Sequence, residues 1–61
     1  MSETAKKLQD WRRATGLNQE AAARALLVSV SSYQSWEQGK REPQGVYADK
    51  VEAILAAWRN A

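Results

Sequence analysis

Cysteine, histidine and phenylalanine are absent from the 61 residues, and proline occurs once. Without cysteine there is no disulfide framework and no thiolate metal site, and with histidine missing as well a zinc finger is excluded. A chain of this length buries only about 60 % of the surface that its unfolded form exposes, so helix packing or oligomerisation must supply its stability. No apolar run approaches the roughly 18 residues of a membrane span. The opening "MSETAKKLQD" has no apolar segment that could serve as a signal peptide. The expectation is a cytoplasmic protein with no membrane partner and no cofactor. The seven carboxylates are spread along amphipathic segments and form no clustered acid/base pair, so enzyme chemistry is not expected. Nine Lys and Arg against those seven give a net charge of +2, which permits a polyanionic partner without demanding one.

What is present is helical spacing. In "TAKKLQDWRRAT", Leu8, Trp11 and Arg12 fall at i, i+3 and i+4, one apolar face with an arginine at its margin. Gly16 closes that helix, and Asn18 then caps the next, with Glu20 in a first turn that favours negative charge. The segment "QEAAARALL" is alanine-rich, a good helix former whose small side chains let another helix approach closely. The stretch "LLVSVSSYQSW" alternates like a half-buried strand, but a lone strand would leave its backbone hydrogen bonds unmet. Read as helix, it has Ser29 as its N-cap, with Val30, Tyr33 and Glu37 along one line and Trp36 beside them. Gly39 stops it. The run "GKREPQG" is the clearest loop, and "VYADKVEAILAAWRN" spaces Tyr47, Val51, Ile54, Leu55 and Trp58 along one amphipathic helix. Trp11, Trp36, Tyr47 and Trp58 therefore read as core rather than as stacking platforms, with Trp58 either covering that core or sealing a dimer.

Two short helices separated by about four residues have the spacing of a helix-turn-helix. The continuous run "GLNQEAAARALLVSVSSYQSWEQGKREP" resembles the helix-turn-helix of phage Cro and repressor proteins and of the short, XRE-like bacterial regulators built like them. Gly16, Leu17, Asn18, Gln19 and Glu20 stand where that family has Gly-Leu-Thr-Gln-Glu. Ala23 takes the place of its tiny helix-crossing residue, and "SWEQGKREP" is close to its Trp-Glu-Arg-Gly-Lys-Arg-x-Pro ending. Three departures stand out. Leu27 replaces the usual turn glycine, so either it adopts a strained left-handed conformation or the turn differs. Ala22 replaces a leucine, and Tyr33 an isoleucine or valine, so bulk lost at one place is restored at the other.

The resemblance implies an all-α fold, a small four- to five-helix bundle of the lambda-repressor-like type. It forms a single domain over residues 1–61, with the helix-turn-helix at about 19–38 and a C-terminal helix at about 46–59. It also implies a structural salt bridge between Arg12 and Glu37. The second helix of the motif would enter the major groove, with Val30, Ser31, Gln34 and Ser35 against base edges and Gln19, Gln38, Lys40 and Arg41 on phosphates; Arg13 and Arg24 are weaker phosphate candidates. Double-stranded operator DNA is the implied partner, bound by a homodimer. A small Cro-like repressor is the function this supports. The alternative is an antitoxin or adaptor that uses the same fold to bind protein, leaving the serines between Val28 and Trp36 as mere solvated surface.

Overall fold

The computed structural model describes residues 3–60, so the ends of the expected 1–61 domain lie outside the described residues. Four helices follow one another: α1 (Glu3–Ala14), α2 (Gln19–Leu26), α3 (Val30–Glu37) and α4 (Val46–Arg59). They make the structure all-α, with 72% of the described residues helical and no strand among them. Four helices is the lower of the two numbers expected. None is long and apolar enough to cross a membrane.

The caps follow from side-chain chemistry. Asn18 accepts from the Ala21 N–H at 2.7 Å and Ser29 from the Ser32 N–H at 3.1 Å, which satisfies donors that the first turns of α2 and α3 cannot pair internally. The ends of α1, α2 and α3 share one hydrogen-bond pattern. At α1, Gly16 donates to Arg13 O and Leu17 to Arg12 O; at α2, Leu27 donates to Arg24 O and Val28 to Ala23 O; at α3, Gly39 donates to Trp36 O and Lys40 to Ser35 O. This double closure requires a left-handed residue at its centre. Gly16 and Gly39 supply it with φ of 72° and 76°, and Leu27 supplies it with φ of 59°. Of the two ways of accommodating Leu27, the chain therefore uses the left-handed one.

The turn at Leu27 lets α2 and α3 pack on each other, and α3 also packs on α1. Ala22 and Ala23 are buried, so α2 meets its neighbours through side chains of one methyl group, and Leu26 closes that face. Leu8 and Trp11 of α1, Tyr33 and Trp36 of α3, and Val51 and Leu55 of α4 fill the space between the helices. Leu8 and Tyr33 are the largest fully buried side chains. Tyr33 shares its cluster with Ala22, as the exchange of bulk between those two positions requires.

One aromatic expectation needs correction. Tyr47 is not core: it is 46% exposed, with its ring centroid 6.0 Å from that of Trp36 and Lys50 Nζ 5.6 Å from its ring. The reason is register, because Tyr47 lies in the first turn of α4, beside the exposed Val46, and the buried positions of that helix begin only at Val51. Trp58 is half-buried and packs against the core cluster.

Candidate nucleic-acid interface

Helix α3 has two unlike faces. Tyr33, Trp36 and Glu37 are buried, whereas Ser31 is exposed and Val30, Gln34 and Ser35 are half-buried. These last four lie at i, i+1, i+4 and i+5, a single stripe along the helix. Val30 also packs against the core, so part of its surface is committed inward. A shallow concavity between the starts of α2 and α3 is lined by Arg12, Asn18, Gln19, Glu20, Val30 and Gln34.

The four expected phosphate residues do not share one environment. Gln19 is half-buried at the first position of α2, whereas Gln38, Lys40 and Arg41 are exposed beyond the end of α3. The backbone fastens the basic pair: the N–H groups of Lys40 and Arg41 reach the Ser35 carbonyl at 3.0 and 3.4 Å. The backbone at both positions is therefore tied to the end of α3, from which the two exposed side chains extend. Arg13 and Arg24 are also exposed, on α1 and α2.

Beneath the stripe lies a charged centre. Arg12 Nε donates to Glu37 Oε2 at 2.6 Å and Nη2 donates to Glu37 Oε1 at 3.2 Å, the two-pronged geometry of a strong guanidinium–carboxylate pair. The side chain of Glu37 is only 5% exposed and that of Arg12 19%. Arg12 Nη1 also donates to Leu17 O at 3.3 Å, so one guanidinium joins α1, the α1–α2 turn and α3. Burial pushes the Glu37 carboxyl up, but the hydrogen bonds from Arg12 and Gln19 and the nearby Tyr33 hydroxyl outweigh it and hold the group below its ordinary value. The hydrogen bond to Glu37 raises Arg12 further, and burial raises the Tyr33 phenol.

Two parts of this centre are not apparent from the residue pattern. Gln9 Nε2 donates to the Glu37 carbonyl at 2.7 Å and so caps the end of α3 from α1; its spacing of three residues from Arg12 was the available signal. Gln19 Nε2 donates to Glu37 Oε1 at 3.2 Å, and Gln34 Nε2 donates to Gln19 Oε1 at 3.1 Å.

A polar stripe on the second helix of a tight helix pair, braced by an arginine–glutamate pair and flanked by basic residues, is an arrangement suited to a nucleic-acid groove. The helix-turn-helix family model matches residues 8–56, most of the chain. The chain belongs to the helix-turn-helix family of the Cro and repressor type. No curated protein and no solved structure matches it. Helices α2 and α3 of this helix-turn-helix protein fall within the matched residues, as do Arg12 and Glu37. The family is one of DNA-binding regulators, not of enzymes.

Proposed function

We propose that this helix-turn-helix protein is a small Cro-like repressor that binds operator DNA as a homodimer, one α3 per major-groove half-site. The observation that carries this reading is the stripe on α3, with the basic residues Lys40 and Arg41 following at its end on a backbone bonded to Ser35 O. Ser31 and Ser35 offer short hydroxyls to base edges, Val30 offers a methyl contact to thymine, and Gln34 offers a donor and an acceptor to adenine. Gln19, Gln38, Lys40 and Arg41 serve the phosphates that set register but carry no sequence information. Short side chains at Ser31 and Ser35 require α3 to seat deeply. The structural unit is the whole chain, with the motif at 19–38 and the C-terminal helix packed behind it. A module this small has few base contacts, which is the reason for two copies on half-sites about one helical turn apart.

Selection of bound DNA from a random pool, followed by sedimentation of the protein with and without the selected site, tests every element. The expected result is a palindromic site bound by two chains, with Ser31→Ala, Gln34→Ala and Lys40→Ala each weakening the complex. Recovery of no preferred sequence, or DNA binding unchanged in all three variants, would overturn the reading and favour the protein-binding alternative. One chain on a single half-site would remove the dimer alone.

A further inference from the structure

The hydrogen bonds leading from Arg12 to Gln34 have a direction that chemistry, not geometry alone, imposes. A carboxylate only accepts hydrogen bonds, so the end of the Gln19 amide facing Glu37 must be its NH2 group. Gln19 then necessarily turns its carbonyl oxygen toward Gln34, and Gln34 can answer only with its own NH2. The second Nε2 hydrogen of Gln34 and its Oε1 have no partner among the described residues. Gln34 lies on the stripe and lines the concavity between α2 and α3. An amide whose two ends are fixed in this order offers an acceptor beside a donor, the pattern that adenine complements through N6 and N7. An unfixed amide can rotate and offer its NH2 to the acceptors of guanine or thymine instead.

We infer that Gln19 is a specificity-determining residue that transmits the polarity of the Arg12–Glu37 pair to Gln34 and thereby restricts Gln34 to adenine. The inference rests on the reading of α3 as the helix that faces the groove. It gives Gln19 a role beyond its phosphate contact: the relay acts on one base pair, whereas loss of a phosphate contact weakens binding to every sequence alike.

The experiment compares the wild-type chain with Gln19→Met, which keeps side-chain length and removes both hydrogen bonds, and with Glu37→Gln, which keeps shape and frees the polarity. Each is passed through selection from a random DNA pool, and the side-chain NH2 resonances of Gln19 and Gln34 are recorded on the free protein. Both variants are expected to relax the preference for adenine at a single position per half-site by about tenfold, within the worth of a bidentate base contact. Preferences elsewhere and the salt dependence of binding stay as they were. In the free wild-type chain the Gln34 NH2 protons are expected to be distinct and slowly exchanging, and to become equivalent to those of a solvated glutamine in Gln19→Met. A selective wild type whose Gln19→Met variant is equally selective at every position overturns the relay and leaves the proposed function intact. A wild type without sequence selectivity overturns both. Should Gln19→Met fail to fold, the wild-type spectrum decides, because solvent-like Gln34 NH2 protons there overturn the relay.

Discussion

Replacing Leu27 by alanine and by glycine isolates the backbone at the turn of the helix-turn-helix. Leu27 is the non-glycine residue with positive φ among those described, at φ 59° and ψ 44°, and it is 77% exposed. A side chain bearing a Cβ in this region costs about 1–2 kcal/mol relative to glycine. Glycine gives back about 0.5–1 kcal/mol, because its unfolded chain has more freedom to lose. At the centres of the two ranges the glycine variant is about 0.7 kcal/mol more stable than the alanine variant. Both remove the same branched side chain, so whatever the covered part of Leu27 contributes cancels in the comparison. For a chain of 61 residues, 1 kcal/mol moves the melting midpoint by roughly 8 °C, so the two midpoints should differ by about 6 °C. The assay is thermal unfolding followed by circular dichroism, at two protein concentrations so that any association appears as a shift with concentration. Within a helix alanine would be the more stable of the two, so the expected order is inverted. Midpoints that coincide, or an alanine variant that melts higher, would mean that residue 27 is not left-handed and that α2 ends in another way.

Three further outcomes follow from the charged centre and the loop beyond α3. Glu37→Ala leaves Arg12 without its partner in a mostly buried position and should destabilise the fold by about 3 kcal/mol, on the order of 20 °C in midpoint; no measurable shift would mean that the pair is exposed in solution. The Glu37 carboxyl is held lower in the folded chain than its unfolded value of about 4.3, so its stabilisation is complete above that value and disappears as pH falls through the folded one. Wild type and Glu37→Gln should therefore differ most in denaturant midpoint near neutral pH and converge in acid, and a gap that widens in acid would contradict the shift. With about four to six phosphates engaged, binding to the selected site should fall with salt at a log–log slope of roughly −4 to −5, and Lys40→Ala should reduce that slope by about 1 without changing the preferred sequence.

How legible each part was depends on how local its cause is. The caps at Asn18 and Ser29 bond within three residues of themselves, and helical spacing alone put Leu8, Trp11, Val51 and Leu55 on inward faces. The same spacing misplaced Tyr47, because periodicity identifies the apolar side of α4 but not the turn at which that side reaches the core. Leu27 was legible as an anomaly, and only the backbone could say which resolution it takes. Least legible were the bonds from Gln9, Gln19 and Gln34, since glutamine on a helix is an ordinary surface residue until a neighbouring helix brings a partner. Arg12 and Glu37 differ only because a family resemblance joins them across 25 residues of sequence.

A buried ion pair is a weak source of stability, because desolvation offsets most of its attraction and a packed apolar pair of similar volume is often as stable or more so. If stability were its only role, the Arg12–Glu37 pair would have a simpler replacement. What an apolar pair cannot supply is an acceptor of fixed identity for Gln19, and through it a fixed order of donor and acceptor at Gln34. The double variant Arg12→Met with Glu37→Leu tests this directly. It leaves no charge unpaired, so it should lose far less stability than Glu37→Ala and melt within about 1–2 kcal/mol of wild type or above it. It should still bind DNA with the wild-type salt dependence, since neither residue is placed on a phosphate, while its preference at the base facing Gln34 relaxes. A double variant that is stable and fully selective would show that the pair is only a clamp between α1 and α3. One that is stable but indifferent to that base would separate what holds this fold together from what lets it read a sequence.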